Sequence, residues 1–395
     1  MNENHYNELV SSTVQSQSWI VVTDALGPGH YFASKLQELG ATKVLLISAC
    51  RDSGPMPVEP GYTTISLNIQ SSPGMGSIRS AMAAFRDLPP EVCAQIDAWD
   101  PDKTALAFTP LWGEDTPIHG RKVFGARWSK WQQLEDKLTC DGIWDAVGIP
   151  RAPFRILPVY QAALQAAHSE LDQGMGTVWA GDNKEGWHGG AEYLRWIRNP
   201  GDFRAAFPFF RSHCDRVRIQ PFMEGIPCSI HGMVFPDSVI AFRPCEMLVF
   251  RQEGSTRLKY GGAATAWDPP AADREAMRHT AKVTGAHLRR HYGYRGVFTI
   301  DGIMTSEGFR PTELNPRYGA AIGRFMHGLP NIPLYILNKI LCEGISLPYD
   351  PNLLEQTILA SADASRVINA GFPIPNATRR TKRTVRYKRT EKGWI

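Results

Sequence analysis

The sequence predicts a chain of mixed α/β and α+β class, and three stretches carry that prediction. Trp19-Ile-Val-Val-Thr23 is an apolar, β-rich run; Gly27-Pro-Gly29 and then Phe32, Leu36 and Leu39 at helical spacing lead into Lys43-Val-Leu-Leu-Ile47. That is a strand, turn, helix, strand opening of an α/β domain. Thr177-Val-Trp-Ala180 runs into Gly181-Asp-Asn-Lys-Glu-Gly-Trp-His-Gly-Gly190, which reads as strand, long glycine-rich loop, strand. Between Gly293 and Gly319 lies a hairpin, two strands joined by a turn that ends in Gly308.

Taken in order, α/β-like material continues to about residue 125 through a strand at Thr104-Ala-Leu-Ala-Phe108. Trp131, Leu134, Leu138, Ile143, Trp144 and Val147 are spaced for a helical pair, which Gly148 and Pro150 stop. These tryptophans, like Trp128, are placed as core. Strands follow at 217–222, 229–235 and 239–242, then a helix at about 272–292. The expected division is 1–125, 126–215 with the glycine-rich loop, 216–365 with the hairpin, and a basic tail at 366–395.

At 395 residues, with 43% hydrophobic and 21% charged, the chain can bury sizeable cores, which argues against disorder. Its opening is polar, and no run reaches the roughly 18 apolar residues of a membrane span, so the expected location is cytoplasmic. The seven cysteines are odd in number and never in CxxC spacing, which argues against a disulfide framework and a zinc cluster; a lone nucleophilic thiol is the minor alternative. Net charge is +4, but the segment from Arg379 holds eight Lys/Arg against Glu391 alone, so the rest is slightly acidic. A basic tail can bind nucleic acid or an acidic membrane, and is more often simply solvated.

The chemistry concentrates in the hairpin. Strand alternation puts Glu313 and Asn315 on one face, and a plausible register brings Asp301 beside them. Asp, Glu and Asn without His or Cys are hard oxygen donors that suit Mg2+, which shares its shell with water and substrate phosphates. The alternative is a hairpin whose acids face water. Gly27 and Gly29 leave open a dinucleotide-binding turn.

Asp301 followed by Glu313-Leu-Asn315-Pro-Arg317 resembles the metal-binding end of the ATP-grasp superfamily. Asp136-Lys137 with Gly148-Ile-Pro150 resembles the entry to that family's central domain, Lys184 to Gly190 its mobile phosphate-covering loop, and Arg218-Ile-Gln-Pro-Phe-Met-Glu-Gly225 its adenine-holding hinge strand. The pieces stand in family order over roughly residues 130 to 330, and the N-terminal region is similar to the pre-ATP-grasp domain. Within the superfamily, Val178-Trp-Ala-Gly-Asp182, Gly189-Gly190 and Ile226-Pro-Cys-Ser-Ile-His-Gly232 look like the peptide-ligase branch. One departure stands out: most members carry a second phosphate-binding lysine where this chain has Trp179-Ala180-Gly181.

The resemblance implies ATP with Mg2+, or Mn2+ in its place. It assigns Asp301, Glu313 and Asn315 to the metal, and Lys137, Lys184, Gly189 and Gly190 to phosphates. Gln220, Phe222 and Met223 frame adenine. Arg317, Lys259 and Arg251 fall to the reacting anions, with His231, Arg243 and Glu246 nearby. The implied reaction is carboxylate–amine ligation through an acyl phosphate, releasing ADP, with small acids and amines (amino acids or peptides) as substrates. No membrane and no nucleic acid partner is implied, and a homodimer is allowed. The alternatives are a kinase, a carboxylase or a nucleotide sensor, and, from Gly27 and Gly29 alone, a nicotinamide oxidoreductase.

Overall fold

The apolar run at Trp19 becomes β1 (Ser18–Ala25), central in a parallel sheet ordered β3-β2-β1-β4 with β2 (Lys43–Cys50), β3 (Thr63–Ser66) and β4 (Leu106–Phe108). A computed structural model describes residues 3–51, 61–70, 75–110, 114–251, 254–319, 321–325, 328–329, 332–370, 389–390 and 393–394. One compact unit takes in Met1–Ser129 and Leu329–Asp350, the other Lys130–Gly328 and Pro351–Ile395.

In the first unit the sheet is covered on both faces, which is why its strands read as continuous apolar runs. Ile20, Val22, Leu45 and Ile47 pack with Phe85 of α3 (Met75–Arg86, after α1 Glu3–Val14 and α2 Leu26–Glu38) and Ile96 of α4 (Pro90–Trp99). On the other face Trp19 meets Phe108 and Phe124 edge-on at 6.2 and 5.2 Å, and Phe108 meets Tyr335 at 5.5 Å. Tyr335 belongs to the helix Leu334–Glu343, buried along nearly its whole length. The expectation had left that helix within 216–365; its residues from Leu334 to Cys342 are instead buried in the first unit. Gly27 and Gly29 lie inside α2, and a Cβ on Gly29 would stand 2.6 Å from Leu46 and Thr23 side-chain carbons, so this glycine serves close helix–strand contact rather than a dinucleotide turn.

The second unit holds two antiparallel sheets. Its opening is a short α5 (Ser129–Gln132), a 3-10 turn Gln133–Glu135 and α6 (Cys140–Ala146), in place of the longer helical pair predicted. The first sheet runs β5-β8-β6-β7: β5 (Arg155–Pro158), β6 (Thr177–Gly181), β7 (Leu194–Ile197) and β8 (Arg216–Pro221), with α7 (Gln161–Leu171) and α8 (Pro200–His213) burying Leu164, Phe203 and Phe210 against Trp179 and Ile219. The second is built from β9 (Ile226–Val234), β10 (Val239–Ala241), β11 (Cys245–Arg251), β12 (Leu258–Ala264), β13 (Gly296–Thr305), β14 (Gly308–Asn315) and β15 (Ile368–Ala370), ordered β14-β13-β9-β11-β12-β15 with β10 on β9. Helix α9 (Ala271–Tyr292) packs on β9 and β10 and ends at Gly293 in the left-handed conformation. Of the predicted tail, residues 368–370 are a strand paired with β12, while most of the basic stretch lies outside the described residues.

The first unit also contains a buried ion cluster. Arg121, with no exposed side-chain surface, donates to Asp100 at 2.9 Å and to Asp97 at 2.7 Å, and Asp100 also accepts from the Thr104 and Ala105 amides. Hydrogen bonds from His119 and Arg121 hold the Asp97 carboxyl down to about 2. A depressed carboxyl contributes stability above its unfolded value near pH 4, lost as pH falls toward 2. Arg121→Ala leaves Asp100 buried without its counter-charge; it is expected to cost about 3–5 kcal/mol in chemical denaturation, and a loss below about 1 kcal/mol would show the pair to be dispensable.

Candidate functional site

Three neighbouring strands of the second sheet set out the predicted ligands as a grid. Asp301 on β13 stands directly between Ser229 on β9 and Glu313 on β14, and two residues back Thr299 stands between His231 and Asn315. Residues two apart share a face of a strand, so the two rows lie side by side. A bulge at Thr312 breaks the β13–β14 pairing just beyond Glu313. Bulges re-aim side chains, and this one sits beside the carboxylates.

Both carboxylates have partners. Ser229 donates to Asp301 Oδ1 at 2.5 Å and Asn315 Nδ2 to Asp301 Oδ2 at 3.0 Å, while Lys137 Nζ, itself 4% exposed, lies 2.8 Å from Glu313 Oε1. Burial, and then the negative Glu313, push the Asp301 carboxyl up to about 6. Two carboxylates and an amide, with no group of three His, Cys, Asp or Glu among the described residues, match a hard cation that completes its shell elsewhere.

These groups line one cavity of about 360 Å3 within the second unit. At one end are Lys137, Arg218, Asp301, Glu313, Asn315 and Arg317. Val178, Leu194, Met247 and Ile303 add apolar lining. The other end is the segment Gln220 to Met223, where Phe222 stacks on Trp196 at 4.3 Å. Three buried polar atoms of lining residues have no protein partner: Gln220 Oε1, Thr299 Oγ1 and His231 Nδ1. Burial, against a hydrogen bond with the Ile230 backbone, brings the His231 imidazole down to about 3. A Cβ on Gly319 would come within 2.6 Å of Thr299 Oγ1, so only glycine lets this backbone close over the second row. Unpaired buried polar atoms are costly, which fits a cavity shaped for a polar ligand.

No protein-family model matches the chain, and no curated protein matches it in sequence. Solved structures do match in fold. The biotin carboxylase domain of Hydrogenobacter thermophilus 2-oxoglutarate carboxylase, in complex with MgADP, ADP and bicarbonate, aligns with a TM-score of 0.60 at 12% identity over 85% of this chain and 71% of that one. Biotin carboxylase from Campylobacter jejuni, with a β,γ-ATP ligand, aligns at 0.57 and 14% identity over 91% and 74%. N5-carboxyaminoimidazole synthase from Aspergillus clavatus, with ADP and 5-aminoimidazole ribonucleotide, aligns at 0.56 and 13% over 88% and 80%. This chain has an ATP-grasp fold. An N-terminal α/β domain precedes it, as the resemblance implied.

Within the ATP-grasp unit the predicted residues divide. Lys137, Gly190, Gln220, Phe222, Met223, Arg251, Asp301, Glu313, Asn315 and Arg317 come together on the cavity. Lys259 does not: Val249 and Tyr260, and Arg251 and Leu258, face the cavity as cross-strand pairs, and strand alternation turns the intervening Phe250–Lys259 pair away. Lys184 is also outside, ion-paired with Asp215 at 2.7 Å on the surface, and Gly189 does not reach the lining. Arg251 joins the hinge end, its guanidinium 4.7 Å from the Phe222 ring and 3.4 Å from Glu224, so it is not grouped with the carboxylates. Arg317 pairs with Glu135 and donates to Asn315 Oδ1 at 3.1 Å; burial opposes its charge, but Glu135, with Glu313 and Asp301, together outweigh burial and its pKa is raised.

Sequence reasoning missed two cavity-side features. Arg218 was read only as part of a hinge strand, although alternation with Gln220 already puts the two on one face. Trp187, in the glycine-rich loop, lies 5.6 Å from the Arg317 guanidinium, a long-range contact with no sequence signal.

The loop itself is tied down. Asp182 Oδ2 accepts from the Asp215 and Arg216 amides at 3.1 and 2.7 Å, Glu185 bonds Tyr193 at 2.8 Å, and His188 stacks on Tyr193 at 4.1 Å. Asp182→Ala is expected to speed amide hydrogen exchange across 182–190 about tenfold or more, the scale of losing charge-assisted hydrogen bonds. Unchanged exchange there would mean that Asp182 does not hold the loop.

Proposed function

We propose that this chain is an ATP-dependent ligase that joins a carboxylate to an amine and releases ADP and phosphate. The observation that carries the reading is the direct pairing of Asp301 with Glu313, with Asn315, Lys137 and Arg317 on the same cavity wall. An oxygen-donor set of this kind with adjacent cations suits a metal-bound nucleoside triphosphate, and the three structures described above are named as complexes with adenine nucleotides.

Asp301, Glu313 and Asn315 would hold Mg2+, which when bound neutralises phosphate charge and polarises the transferred phosphoryl group. Lys137 is within reach of both the carboxylate row and incoming phosphates. The apolar lining and the Gln220–Met223 segment hold the base. Arg317, fixed by Glu135, directs its fork at an acyl phosphate or the oxyanion formed from it. In the first step a carboxylate oxygen attacks the γ-phosphorus and ADP leaves. In the second the amine attacks the acyl carbon, phosphate leaves and the amine loses a proton. The chain's own groups position and neutralise; they form no covalent bond to substrate.

Amino acids and peptides are the finer expectation for the acid and amine. Bicarbonate, present in the 2-oxoglutarate carboxylase complex, belongs in the same trial. A homodimer, the form named for that same domain, is the assembly to look for.

The test is a product-resolved assay with ATP, Mg2+, pooled amino acids, small peptides and bicarbonate, scoring ADP and new condensation masses. Wild-type protein is expected to form ADP and product together, and Glu313→Ala to lose at least about 100-fold in kcat/KM, the scale of removing one preorganised charge contact. Product formation by Glu313→Ala at the wild-type rate would remove the metal assignment.

A further inference from the structure

Arg218 is the most deeply placed cation on the cavity wall that the proposed reaction does not use. Its side chain is 3% exposed, yet it lines the cavity. Its Nε and Nη2 donate to the two oxygens of Asp141 at 2.5 and 2.8 Å, and Nη1 donates to the Thr312 carbonyl at 3.2 Å. A guanidinium has five N–H donors, so this accounts for three and leaves two.

Position in the sheet puts the residue that carries them on the cavity. Arg218 on β8 is directly opposite Ala180 on β6, so the two side chains share a face, and both line the cavity. Ala180 contributes only a methyl to that face, opposite the guanidinium. The Thr312 carbonyl that anchors Nη1 belongs to the bulged residue next to Glu313. Arg218 and Lys137 are therefore two buried cations held to adjacent residues of β14, Thr312 and Glu313, and both line the cavity.

A purely structural role explains this poorly. A buried ion pair contributes little net stability compared with apolar packing, and two unmatched N–H groups add a desolvation cost. An anion in the cavity would use both. We infer that Arg218 contacts the polyphosphate of the bound nucleotide, with Asp141 and the Thr312 carbonyl holding its fork in place. Arginine suits the task because its planar donors meet phosphate oxygens in pairs. The inference rests on the nucleotide reading above and adds a residue to it.

The experiment is calorimetric titration of the full chain with Mg·ATP and with AMP. The variants are Arg218→Gln, Asp141→Asn, and the double variant, which leaves no orphan charge if Arg218→Gln unfolds. Loss of a charged hydrogen-bonding contact is expected to weaken Mg·ATP about 10- to 100-fold in Arg218→Gln and in the double variant, with AMP affinity unchanged. Asp141→Asn, which keeps the arginine and removes its counter-charge, is expected to retain or raise the preference for ATP over AMP. Equal weakening of both nucleotides, no change in either, or loss of the ATP preference in Asp141→Asn would overturn the inference. A wild-type chain that binds no Mg·ATP would overturn the nucleotide reading itself, and the two failures are told apart by that first titration.

Discussion

The candidate site depends on two carboxylates held side by side on adjacent strands. Asp301 and Glu313 face each other across the β13–β14 ladder, and both are largely withdrawn from water. Like charges so placed repel, and burial removes the solvent that would screen them. The structure offsets this with neutral donors on Asp301, from Ser229 and Asn315, and a cation on Glu313, from Lys137. Each of those partners comes from a different segment, so the carboxylate pair draws the start of the second unit, β9 and β14 into one arrangement.

The same constraint explains the company around it. Cys140 Sγ donates to the Lys137 carbonyl at 3.1 Å and also approaches the Thr312 carbonyl at 3.6 Å, so the turn that carries Lys137 is stitched to the bulge beside Glu313. Arg218 reaches that same carbonyl from the other sheet. β7 also meets the segment between β11 and β12, where the Trp196 amide donates to the Thr256 carbonyl at 2.7 Å, and Trp196 stacks on Phe222. The cavity is thus walled by contacts between residues far apart in sequence.

Much of the site was legible because its donors lie on one hairpin. Glu313 and Asn315 are two apart, which assigns them to one face in any regular strand, and the short turn before Gly308 leaves few registers for Asp301. The cations were less legible. Lys259 and Arg251 stand on paired strands with a register shift between Leu248 and Val249, and the parity of a strand on the far side of such a shift cannot be counted from sequence. Lys184 was drawn to the surface by Asp215, a neighbour 31 positions on.

By itself the sequence determined the parallel opening, from its apolar runs, and the antiparallel hairpin, from alternation and turn residues, with Asp301, Glu313 and Asn315 as neighbouring oxygen donors on it. Those are local matters of period and residue type, with interactions only a few positions apart. The tertiary structure decided which cations meet that chemistry and where the helix Leu334–Glu343 goes. Lys137, Arg218 and Arg317 reach the cavity, whereas Lys184 and Lys259 do not. The physical reason is that a charge acts over a few ångströms of space, while the distance between two residues in space is set by register, bulges and the packing of whole sheets.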